Sequence, residues 1–172
     1  MQWSKQNKLA ESLICPSLKE RLRFHSTNYN KTYDNVGRCW ITVDKVEIFN
    51  ACTMTWVKTY YGLANEIREA NNCLDYTDPS QKKGYYGAYD SADAIVREKG
   101  IHSQGEFEAA LKEWTSLSIE DSFASDNPLI RAFAMVDRRL GKRRLQQIVL
   151  TDSEHPLVRA LYQLRCDAEG LS

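Results

Sequence analysis

The sequence is informative first through what it lacks. It has no long apolar run: stretches such as 148–150 extend for only a few residues. That is far short of the roughly 20 residues a membrane-spanning helix needs. The opening MQWSKQNKLAESL is polar and has no apolar core of a secretory signal. These absences predict no membrane partner and a cytoplasmic location. Cysteine is sparse and unpatterned: Cys15, Cys39, Cys52, Cys73 and Cys166 are odd in number and form no C-x-x-C pair. A disulfide framework is therefore not expected, and buried free thiols are. Three histidines, His25, His102 and His155, show no ligand spacing with one another or with the cysteines, so no metal is expected. There is no G-x-S-x-G, no P-loop and no G-x-G-x-x-G. No residue is assigned a catalytic or cofactor-binding role, and no cofactor is expected. Carboxylate pairs such as Glu66 with Glu69 and Glu106 with Glu108 sit on patterns that read as polar helix faces. The balance is against an enzyme, with one of unrecognised type left open.

Net charge is also absent, since 23 basic side chains balance 23 acidic ones. The balance is local as well as global only in part: residues 1–50 carry a net +3, 51–125 a net −5 and 126–172 a net +2. Such asymmetry can orient a chain toward a partner but is too mild to name nucleic acid. What remains is an ordinary globular composition, 42% hydrophobic and 27% charged, over 172 residues. That supports one domain or two small ones.

Periodicity orders the chain. Residues 3–14 read as a short amphipathic helix with Trp3, Leu9, Leu13 and Ile14 apolar and Pro16 closing it. Alternation in RLRFHSTNY (21–29), then RCWITVD and VEIFNA, predicts a three-stranded antiparallel meander. KTYDNVG (31–37) supplies the first turn, with Asp34, Asn35 and Gly37 as breakers. A hairpin centred there would place His25 beside Trp40. Asp44-Lys45 supplies the second turn as a tight hairpin, although glycine suits a primed turn better than Lys45, which leaves a longer turn open. Trp56, Tyr60, Leu63 and Ile67 then mark one face of a helix running to about residue 71, the expected cover of the sheet. The stretch DYTDPSQKKGYYGAYD reads as a loop and as the boundary between an α+β half (1–88) and a helical half (89–172) of one compact unit. In the second half Ser91 opens a helix ending at Gly100. Ser103-x-x-Glu106 is a capping box, and Ser118-x-x-Asp121 starts a further helical turn.

One phrase occurs twice. NPLIRA (127–132) and HPLVRA (155–160) lie 28 residues apart. Each sets a polar residue before a proline at a helix start, where the missing N–H has no intrahelical partner to lose. Leu129, Phe133, Val136 and Leu140 form one stripe. Leu157, Leu161, Leu164 and Ala168 repeat it. Gly141 is the expected end of the first helix, and KRRLQQIVL a short link using Leu145, Ile148 and Val149. Two similar helices packed together, or two helices that merely share a start signal, both account for the echo.

Two surfaces are candidate contact sites. Arg138, Arg139, Lys142, Arg143 and Arg144, with Arg131 and Arg159 at equivalent places in the echo, form a basic set able to meet an anion or a nucleic-acid backbone. A solvated helix junction is the favoured explanation of the run, and Arg131 and Arg159 are better read as bridging to Asp137 or another acid. Tyr76, Tyr85, Tyr86 and Tyr89 on a glycine-bearing loop form the candidate partner surface.

The opening WSK…SLKERLRFHSTNY, the strand GRCWITVDKVEIFN and the closing NPLIRAFAMVDRRLGKRRL…HPLVRALYQLRCDAEG resemble a family of small uncharacterised, hypothetical bacterial proteins over most of the chain. The resemblance implies a bacterial cytosolic protein inherited as a unit, and no activity. Similar proteins carry glycine after the W-I-T-V-D strand where this chain has Lys45. The P-L-[IV]-R-A phrase is also similar to that of HEAT-type helical repeats. The expected fold is therefore α+β: a small antiparallel three-stranded sheet with covering helices, followed by a helical C-terminal half. The leading functional expectation is a non-enzymatic protein-interaction module, an adaptor or inhibitor with an unknown protein partner. Free sheet edges allow a homodimer. A nucleic-acid-associated protein using 138–144 is the alternative.

Overall fold

The computed structural model describes residues 2–29 and 36–171. The chain is α+β: helix α1 (Trp3–Leu13), strands β1 (Leu22–Asn28), β2 (Gly37–Val43) and β3 (Val46–Cys52), then helices α2 (Thr53–Ala70), α3 (Lys82–Glu98), α4 (Gln104–Ser116), α5 (Ile119–Ala124), α6 (Pro128–Met135), α7 (Lys142–Leu145) and α8 (Pro156–Glu169). The strands form an antiparallel sheet in the order β1-β2-β3. Pairing Leu22 with Val43 and Asn28 with Gly37 sets the first register and puts His25 opposite Trp40, as expected. Their rings stack at 4.9 Å on the outer face. The first turn, 30–35, lies outside the described residues.

The second turn is tight. Asp44 and Lys45 both have positive φ, 50° and 70°. That is the backbone a two-residue primed hairpin needs, and it twists with the flanking strands. A lysine in the left-handed region costs about 1 kcal/mol relative to a relaxed backbone. Local bonds hold it in place. Asp44 N–H donates to the Arg21 carbonyl, and its carboxylate takes the Arg21 guanidinium at 2.7 Å. Along β3 the register shifts opposite Ile41 and Thr42, which leaves Ile48 bulged out of the ladder. A bulge on an edge strand discourages pairing with another strand.

The inner face of the sheet is apolar and is covered by α4, α1 and α6 rather than by α2. Phe24, Phe107, Trp114 and Phe133 form one aromatic cluster, with Phe133 edge to face with Phe24 (5.6 Å) and Phe107 (5.4 Å) and tilted against Trp114 (5.5 Å). All four are buried, and the same cluster takes Ile14, Leu22, Ile41, Leu129 and Leu161. Both halves of the chain thus feed one core, and the expected 88/89 division falls inside α3. Gln104 pins the α4 start to the sheet, donating to Ser26 Oγ (3.1 Å) and Asn28 Oδ1 (2.6 Å). Gly37 lies underneath: a Cβ there would sit 2.2 Å from the Thr27 carbonyl, so only glycine fits. The capping box forms as read, Glu106 N–H to Ser103 Oγ and Ser103 N–H to Glu106 Oε2.

The echo is real as a helix-start device. Pro128 and Pro156 each open a helix; Asn127 Oδ1 accepts from Leu129 N–H at 3.0 Å, and His155 Nδ1 accepts from Leu157 N–H at 3.1 Å. The two helices pack against each other. They differ in length because the first is interrupted. Past Met135 the chain turns to bond the end of α1 and the residues after it: Cys15 N–H donates to the Val136 carbonyl and Arg138 N–H to the Leu13 carbonyl. These bonds compete with helix continuation. Gly141 therefore does not end α6 but precedes α7. Val149, expected in a linking helix, is 89% exposed beyond it, and Leu9 of α1 is likewise exposed.

Three of the five cysteines are buried free thiols, and Cys52 and Cys73 are free but half-buried. No helix among the described residues is long and apolar enough to cross a membrane.

Candidate functional site

The tyrosine stretch is not a loop. Tyr85, Tyr86 and Tyr89 lie on α3, which begins at Lys82 rather than at Ser91, and only Tyr76 sits in the preceding turn. By sequence alone Gly84 suggests a turn. It serves packing inside the helix, where an added Cβ would lie 2.4 Å from Cys73 Sγ. α2 and α3 form a helical hairpin that packs chiefly along itself, and its buried members are Ala64 and Arg68 on α2 and Ala88, Ala92 and Val96 on α3. An aromatic array runs along its flank: Trp56 stacks on Tyr60 (4.9 Å), and Tyr60 stacks on Tyr89 (5.8 Å). Arg68, 5% exposed, closes the array with its guanidinium 3.8 Å from the Tyr85 ring and 4.1 Å from the Tyr89 ring. Its Nε donates to the Tyr85 carbonyl and its Nη1 to Asn65 Oδ1. A desolvated guanidinium between two π-faces holds the helices at fixed spacing. Large apolar side chains are exposed along the hairpin: Met54 (53%), Val57 and Tyr61 (50%) on α2 and Tyr86 on α3, with Leu74 and Tyr76 exposed on the connection between them.

The basic set is dispersed by internal pairing. Arg131 bonds Glu154 at 2.5 Å, and Arg144 bonds Glu120 at 2.7 Å. Arg159 donates to the Glu154 and Asp152 carbonyls. Lys142 faces Glu169, and Arg139 chelates Asp137. Arg131 thus bridges to Glu154, not to Asp137. Within this set, Arg138 and Arg143 project with no hydrogen bond or ion pair from the guanidinium among the described residues.

Asp137 was legible only as an acid in a basic run. It is fully buried. Its carboxylate accepts from Trp114 Nε1 (2.9 Å), from the Arg139 backbone N–H (2.8 Å) and from the Arg139 guanidinium (2.6 Å). Arg165, also buried, donates to the Asp137 and Leu140 carbonyls and to Glu169 Oε1. This network fastens the α6–α7 bend between α4 and α8. No reading of apolar stripes could find it, because both charged residues occupy core positions.

A third arrangement joins two histidines distant in sequence. His102 Nε2 lies 3.3 Å from His155 Nε2. Gly100, at φ +66°, passes so close that a Cβ would stand 2.8 Å from His155 Nε2. His102 borders an open groove of about 520 Å³ with Arg97, Glu106, Asp126 and Asn127. Burial pushes the His102 pKa down, Glu106 partly offsets this, and Arg97 adds to it. Burial and the neighbouring His102 push His155 down to about 4. Among the described residues no three His, Cys, Asp or Glu side chains converge as a metal site.

No curated protein and no solved structure shows a significant match to the chain. A family model does: residues 2–166 match that of the SF0329 protein family, and the chain belongs to this family.

Proposed function

We propose that the protein is a non-enzymatic interaction module, an adaptor or inhibitor in a bacterial cytosol, and that the α2–α3 hairpin is its docking arm. The observation that carries this is the run of exposed apolar side chains on a rigid helical hairpin, Met54, Val57 and Tyr61 on α2 and Tyr86 on α3. Soluble surfaces seldom display clustered large apolar groups without a use. Aromatics on a pre-ordered scaffold lose little entropy on binding and dominate interface energies. The hairpin is held from within by Arg68 and its tyrosines, so its outer face is free to meet a partner protein. The nucleic-acid alternative is less favoured because most of its cations already have protein partners. Pairing of two copies through β3 is disfavoured by the Ile48 bulge.

A pull-down from host lysate with tagged protein, with and without nuclease, tests the reading. Wild type should retain a specific protein after nuclease, and Met54→Asp with Tyr61→Asp should reduce that recovery about tenfold or more, as loss of an interface hot spot does, with the circular dichroism spectrum unchanged. Equal retention by the variant would place the interface elsewhere. Retention only without nuclease would favour the basic set.

A further inference from the structure

We propose that the His102–His155 contact is an acid-released latch that holds the start of α8 to the α3–α4 junction. The hydrogen bonds fix both tautomers. Leu157 N–H donates to His155 Nδ1, so that nitrogen carries no proton. The single proton of neutral His155 then sits on Nε2 and donates to His102 Nε2 across 3.3 Å. His102 must keep its own proton on Nδ1, the side that faces Glu106 Oε2 at 4.0 Å. A second proton has no place in this chain. Added to His102, it sets N–H against N–H; added to His155, it sets N–H against the Leu157 amide. Either one breaks the link, and the latter also uncaps α8.

The surrounding groups offset this only in part. Glu106 on α4 favours a charged His102, and Arg97 on α3 opposes it. Asp126 also lines the groove, β3 contributes the Phe49 ring, and Glu154 beside His155 is held by Arg131 of α6. The sign follows. The closed latch binds a proton weakly and the open one binds it with ordinary affinity. Closure is thus fully favoured above about 6.5 and weakens as pH falls toward about 4.

The echo supplies the control. Asn127 does for α6 what His155 does for α8, accepting from the third residue of the phrase, and it does not titrate. His155→Asn therefore keeps a capping acceptor and removes the latch. Amide hydrogen exchange of Leu157–Leu161, corrected for intrinsic rates, reads the opening. In wild type the opening equilibrium should rise roughly 20-fold from pH 7 to pH 5, the linkage expected when a pKa moves from 6.5 to about 4. His25→Asn should behave as wild type, and His155→Asn should show no such rise. A pH-independent wild type, or an equal rise in His155→Asn, would overturn the proposal. Should His155→Asn fail to fold, imidazole nitrogen NMR of the wild-type protein decides: Nδ1 of His155 bare and Nε2 protonated at pH 7 is the expected result, and the reverse tautomer contradicts it.

Discussion

Replacing Phe133 with alanine should cost the fold about 4 kcal/mol, within the range for truncating a fully buried phenylalanine. The position explains the size. Phe133 is completely buried and touches Phe24 of β1 and Phe107 of α4 edge to face and Trp114 of α4 at a tilt. Removing the ring loses its transfer energy and leaves a cavity walled by three rigid aromatics, which cannot collapse into it. It also detaches the first helix of the echo from the sheet. Phe133→Leu keeps most of the volume and should cost less than half as much. Urea denaturation followed by tryptophan fluorescence measures both. Near-equal stability of wild type and Phe133→Ala would mean that α6 does not organise the core.

Replacing Asp137 with alanine should cost about 3 kcal/mol, the scale of breaking one partner out of a buried ion pair. The carboxylate is fully buried, whereas the Arg139 side chain is 30% exposed. Part of the Arg139 charge can thus recover hydration, which keeps the loss at the lower end. The Trp114 indole N–H cannot recover it and is left buried without an acceptor. Asp137→Asn retains an oxygen for Trp114 while losing the charge, so it should fall between wild type and Asp137→Ala in the same urea titration. A loss under about 1 kcal/mol for Asp137→Ala would mean that the pair behaves like one on the surface.

Local signals were readable wherever the backbone obeys its neighbours. The capping box at Ser103, the cap at Ser118, the proline-led starts at Pro128 and Pro156 and the Asp44-Lys45 hairpin all depend on residues within a few positions of one another. The pairing of His25 with Trp40 follows from strand register and was legible too. What sequence pattern missed depends on distant partners. Lys82–Gly87 looked like a turn because it holds lysines and glycines, yet Gly84 is there to admit Cys73 of the neighbouring chain segment. α2 looked like the cover of the sheet because its stripe is aromatic. That stripe belongs instead to the array it shares with α3 and Arg68. α6 ends earlier than its stripe predicts because Cys15, just past α1, takes the carbonyl of Val136. The basic set looked available because the acids that neutralise it, Glu120, Glu154 and Glu169, lie up to 27 residues away.

The interaction arm is tested most directly by site-specific photocrosslinking in the host cell, with the probe at Tyr61 on the hairpin or at Val149, which is 89% exposed on another part of the surface. A discrete protein adduct from position 61 and none from position 149 is the expected result. Adducts from position 149 alone, or none from either, would contradict a docking role for the α2–α3 hairpin.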